Sequence, residues 1–83
     1  MNRDPHSPSP LTDLFKGESA ILCQLKMPKA NANRLLSLGF TPGIEISMMQ
    51  NYGRGPLVVN VRGTRVALGR NEALGILVNG RKL

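Results

Sequence analysis

The sequence predicts a mainly β protein: a small, closed or nearly closed barrel of about five short strands, with one short helix between the first and second strands and one helical turn before the last. Three observations point there. Five short apolar runs show the period of two expected of strands. Nine glycines, from Gly17 to Gly80, punctuate the chain so often that long elements do not fit between them. Only residues 30–38 carry helical spacing together with a stop signal. Closure follows because the edges of so short a sheet would otherwise be exposed to pairing with other chains. At 83 residues the chain is one domain at most, and it is too short for an enzyme built around an interdomain cleft.

Residues 1–10, with Pro5, Pro8 and Pro10 among serines and no apolar pattern, read as a flexible tail before a domain at 11–83. Segment 18–25 (ESAILCQL) is the first strand and is apolar on both faces. Pro28 lacks a backbone N–H and pushes Met27 towards extended geometry, so it separates that strand from the helix. In the helix, Leu35 and Leu38 share one face towards the barrel, and Gly39 is the left-handed stop. Segment 44–50 places Ile44, Ile46 and Met48 on one side, and 57–62 does the same with Leu57, Val59 and Val61. The glycine-rich stretch 51–56 joins these two as a hairpin loop. Arg62-Gly63 is a tight hairpin into 64–68, where Val66 and Leu68 oppose Arg65. Residues 71–75 allow one helical turn capped by Asn71, and 75–79 is the last strand. The expected core is Ala20, Leu22, Leu25, Leu35, Leu38, Ile46, Met48, Val59, Val61, Val66, Leu68, Ala73, Ile76 and Val78.

The single Cys cannot form an internal disulfide, which suits a reducing compartment. No run approaches the roughly 20 apolar residues of a membrane span, and the N-terminus lacks a signal peptide's apolar core, so a cytoplasmic location is expected. Enzymatic chemistry lacks its parts. His6 is the only histidine and lies in the tail, the five acidic residues are scattered singly, and Cys23 sits mid-strand as a small hydrophobe. Cys23 and His6 cannot make a four-ligand zinc site, and no cofactor or intrinsic metal site is expected. Gly53-Arg54-Gly55 leads into a strand rather than a helix N-terminus, so it is a turn with a basic tip, not a phosphate loop. The formal net charge of +6 favours a negative partner, and Arg54, Arg62, Arg65, Arg70, Arg81 and Lys82 all lie in the C-terminal half. A small basic nucleic-acid-binding barrel is the alternative reading, but such modules add aromatic platforms and only Tyr52 lies nearby, so no nucleic acid is expected as partner.

The segment Arg34-Leu35-Leu36-Ser37-Leu38-Gly39-Phe40-Thr41-Pro42-Gly43 is the most specific stretch. With Leu11-Thr12-Asp13-Leu14 and Gly17-Glu18 before it, and Pro56, Val59, Val61, Gly63, Val66-Ala67-Leu68, Glu72-Ala73, Ile76 and Val78 after it, the chain resembles the FeoA family over about residues 11–79. The resemblance implies an SH3-like barrel, a module also found at the C-terminus of iron-dependent repressors. It further implies a non-catalytic cytosolic accessory role in bacterial ferrous iron uptake. The implied partner is FeoB, the membrane transporter with a cytosolic GTPase region, and membrane contact would come only through it. Many members carry Gly-Asp-Pro in the loop before the third strand, where this chain has Gly53-Arg54-Gly55-Pro56. Partner contacts are expected at Arg34, Leu36 and Phe40 on the helix end, with Arg54, Arg62 and Arg65 as steering charges. Phe40 keeps two readings, an exposed anchor or a plug for the barrel end.

Overall fold

The computed structural model describes residues 7–83. Its elements in chain order are β1 (Ser9–Pro10), a 3-10 turn (Leu11–Asp13), β2 (Ser19–Leu25), α1 (Lys29–Ser37), β3 (Glu45–Gln50), β4 (Leu57–Val61), β5 (Thr64–Leu68), α2 (Arg70–Ala73) and β6 (Ile76–Lys82). The strands form one antiparallel sheet in the order β1-β6-β2-β3-β4-β5. The register shifts between Ser19 and Ile21, between Leu22 and Gln24, and between Met48 and Gln50. Such irregularities bend and twist a strand, and here they curl the sheet around one core in an SH3-like fold. Among the described residues no helix is long and apolar enough to cross a membrane.

Alternation sets the interior. Ala20 and Leu22 of β2, Ile46 and Met48 of β3, Leu57, Val59 and Val61 of β4, and Ile76 and Val78 of β6 are all buried. They face one another through pairs such as Ala20 with Ile46, Met48 with Val59, and Leu22 with Val78. No buried polar or charged side chain occurs among the described residues, so the core is held by apolar packing alone.

The sheet has six strands where period two suggested about five. Ser9 and Pro10, assigned to the tail by composition, pair with Val78 and Leu77 of β6, and Pro10 sits on the sheet edge where its missing N–H does no harm. Residues 1–6, including His6, lie outside the described residues. The last strand also runs on to Lys82, because β2 supplies a partner as far as Ser19. Within the core, Leu25 and Val66 are only partly buried, Leu38 is 42% exposed, and Leu11, Leu14, Phe40 and Leu57 are buried although absent from the expected set. The periodic templates did not reach Leu11 and Leu14, which belong to an irregular segment folded over the sheet.

Candidate partner-binding surface

The helix end is built differently from the expectation, for a reason in its last turn. Gly39 has φ +104°, its N–H bonds the Leu36 carbonyl at 3.0 Å, and the Phe40 N–H reaches back to the Leu35 carbonyl at 3.0 Å. This is the Schellman pattern, in which the residue after the left-handed glycine packs on the residue five before it. Phe40 and Leu35 are accordingly both fully buried. Phe40 is therefore removed from the candidate surface, and of its two readings the interior one holds. Leu38 caps the helix before that reversal and is left outside.

What remains exposed at α1 and α2 is a set of leucines and one ion pair between the helices. Leu36, Leu38 and Leu74 are 39%, 42% and 51% exposed. Arg34 of α1 donates to the Glu72 carboxylate of α2 and ties the two helices together. An open cavity of about 660 Å³ lies beside this pair, lined by Met27, Pro28, Asn31, Glu72 and Leu74 among others. Gly75 closes its base: its carbonyl accepts from the Lys26 N–H at 2.7 Å, so the two backbones nearly touch. Leu38 and Leu74 were missed as surface anchors because one was assigned to the core and the other carried no pattern; the Leu35-Gly39-Phe40 spacing was the signal that could have corrected the first.

The expected steering arginines do not form one patch. Arg62, at φ 53°, and Gly63 make the two-residue turn between β4 and β5, and the Arg62 side chain lies over Gly39 at the C-terminal end of α1. There its charge suits the negative end of the helix dipole. Arg65 follows on β5, paired with Asn60, and is exposed. Arg54 is exposed in the loop entering the other end of β4, so the length of that strand separates it from Arg62. Near Arg54, Arg70 donates to the Gly55 carbonyl at 3.1 Å and to Asn51 Oδ1 at 2.8 Å, pinning the loop.

A third group of charges braces the start of β2. Arg81 binds Glu18 at 2.9 Å and lies over the Phe15 ring at 5.2 Å, while the Phe15 N–H donates to Glu18 Oε1 at 2.7 Å. The Arg81 hydrogen bond, then that of the Phe15 N–H, holds the Glu18 carboxyl below its ordinary value against the opposing effect of burial. Cys23 is free and half-buried, more open than a core position. Among the described residues no three His, Cys, Asp or Glu side chains gather as a metal site.

Comparison with known proteins fits this geometry. The FeoA domain family model matches residues 9–80, which takes in the short β1. A Methanocaldococcus jannaschii protein provisionally named Fe(2+) transport protein A is 29% identical over 69 residues, covering 83% of each chain. The crystal structure of an iron uptake regulatory protein (FeoA) superposes with a TM-score of 0.81 at 27% identity, over 88% of this chain and 97% of that one. The zinc complex of Stenotrophomonas maltophilia FeoA, described as a prokaryotic SH3 domain protein, gives 0.78 at 32% identity, over 88% and 94%. Sequence pattern, barrel and helix-end motif thus converge, and the chain belongs to the FeoA family of ferrous iron transport proteins.

Proposed function

We propose that this chain is a non-catalytic, cytoplasmic accessory protein of ferrous iron uptake that binds a FeoB-type transporter on its cytosolic GTPase region and modulates it. Membership of the FeoA family supports the pathway. The observation that carries the binding mode is half-exposed Leu38, one turn beyond Arg34 on α1, and half-exposed Leu74, just past Glu72 of α2, on the two elements that the Arg34–Glu72 pair ties together, with Arg62 at the end of α1. Exposed apolar anchors rimmed by cations are the ordinary composition of a protein interface. Arg62 and Arg65 then steer association, whereas Arg54, at the far end of β4, lies outside this face.

The test is binding of the purified chain to the isolated cytosolic region of the transporter at two salt concentrations. A Leu38→Ser, Leu74→Ser double variant should raise the dissociation rate and weaken binding by about 1–2 kcal/mol or more. An Arg62→Ser, Arg65→Ser variant should slow association and flatten its salt dependence. Wild-type chain that does not bind the cytosolic region refutes the partner; full binding by both folded variants refutes the surface.

A further inference from the structure

The sheet ends on two edges, β1 and β5, and they are not alike. β1 is two residues long and contains Pro10, which has no N–H to offer a further strand. β5 spans five residues, Thr64–Leu68, without a proline. Arg65 and Ala67 are exposed there, and among the described residues no backbone hydrogen bond reaches β5 from outside the sheet.

Which groups face outwards follows from the hairpin. Arg62 and Gly63, at φ 53° and 80°, make a two-residue left-handed turn, and the pair that closes it, Val61 with Thr64, is a hydrogen-bonded one. Antiparallel pairs alternate, so Val59 with Val66 and Leu57 with Leu68 are hydrogen-bonded too, while Arg65 and Ala67 stand in the pairs between. The N–H and C=O groups of Arg65 and Ala67 therefore point away from β4, towards the free edge. Val66, between them, packs against the core but is only half-buried, whereas Leu68 on the same strand and Val59 opposite are fully buried.

A second β5 laid antiparallel about Val66 completes this edge. Arg65 then stands opposite Ala67 of the second copy, and Ala67 opposite its Arg65. All of these residues carry outward groups, so each of the two equivalent pairs makes two N–H···O bonds. Val66 meets Val66 of the second copy in the pair between, where side chains approach most closely. The long arginine faces the small alanine, and no arginine faces an arginine. A slip of one residue opposes outward groups to inward ones and loses the bonds. A slip of two residues sets Arg65 against Arg65 in one direction, and in the other sets Arg65 against Gly69, beyond the strand. An unrelated strand would have to supply a small or acidic residue at this spacing; the chain's own edge already has one.

We infer that the free edge of β5 is a self-association site, at which two copies of this chain join β5 to β5 in one continuous sheet about a two-fold axis through Val66. The inference stands on this edge alone and does not depend on the transporter reading. So short an interface associates weakly, and the experiment is sedimentation equilibrium of the full chain over a concentration series reaching about 1 mM. Wild-type chain should follow a monomer–dimer equilibrium. Ala67→Pro removes an N–H that the monomer does not use, so it should stay folded by circular dichroism and monomeric throughout. Ala67→Glu sets a carboxylate opposite Arg65 in both pairs and should tighten dimerisation at least about threefold. Arg54→Ala lowers the net charge by the same single unit away from this edge and should tighten it far less. Wild-type chain that stays monomeric, folded Ala67→Pro that still dimerises, or Ala67→Glu no tighter than Arg54→Ala overturns the inference. If Ala67→Pro does not fold, the comparison of Ala67→Glu with Arg54→Ala decides.

Discussion

Replacing Phe40 by Ala tests whether the helix end is closed as the geometry says. Phe40 is fully buried, pinned by its own N–H to the Leu35 carbonyl, and packs in the core cluster. Truncating such a ring costs about 3–5 kcal/mol, from lost transfer energy and the cavity left behind. A chain of this length has a total stability of about 4–12 kcal/mol, so the variant should lie near its folding threshold. Leu38 makes the contrast: already 42% exposed, it has less than the roughly 1.5–3 kcal/mol of a fully buried leucine to lose. Leu38→Ala should therefore cost less than about 1 kcal/mol. The assay is urea unfolding followed by circular dichroism. With a slope of about 1 kcal/mol per M, Phe40→Ala should lower the midpoint by about 3 M or more, and Leu38→Ala by less than about 1 M. If Phe40→Ala does not fold, Phe40→Leu, which keeps most of the volume, should fold with a loss of about 1–1.5 kcal/mol. Equal losses for Leu38→Ala and Phe40→Ala, or a loss under about 1 kcal/mol for Phe40→Ala, would refute the closure.

Three further perturbations each probe the contacts of one residue. Asn51→Ala removes four hydrogen bonds joining the first turn, the 51–56 loop and Arg70, and should lower stability by about 2–4 kcal/mol in the same urea assay. Asn51→Asp keeps the Arg70 contact but sets a carboxylate against two carbonyls, so it should not restore wild-type stability. Gly75→Ala would bring its methyl within 2.6 Å of the Lys26 carbonyl oxygen; a backbone atom cannot swing aside, so its thermal midpoint should fall clearly, whereas Gly69→Ala, with open space around it, should fall far less. The depressed Glu18 carboxyl contributes stability that is complete above its ordinary value of 4.5 and is lost as pH falls through its folded-state value, so acid unfolding should be less steep in Glu18→Gln. An unchanged acid profile in that variant would remove Glu18 from the linkage.

The amino-acid sequence by itself determined the class and most of the elements of this protein, because those depend on short-range rules. Period-two runs marked the five longer strands, Pro28 and Gly39 bounded α1 to within a residue, and Arg62-Gly63 could only be a hairpin. The family was legible in the motif around Gly39 for the same reason: its residues serve one local structure. Tertiary structure decided everything that required two distant segments to meet. Ser9 and Pro10 have no apolar pattern and become a strand only because β6 offers its edge. Phe40 and Leu38 are equally apolar, and the reversal at Gly39 decides which is inside. The candidate surfaces depend on the same kind of meeting. Arg34 finds Glu72 38 residues away, and Arg54 and Arg62 are parted by the length of β4. Periodicity records which face a residue takes within its own element; only packing brings the faces of separate elements together, and partner surfaces are made there.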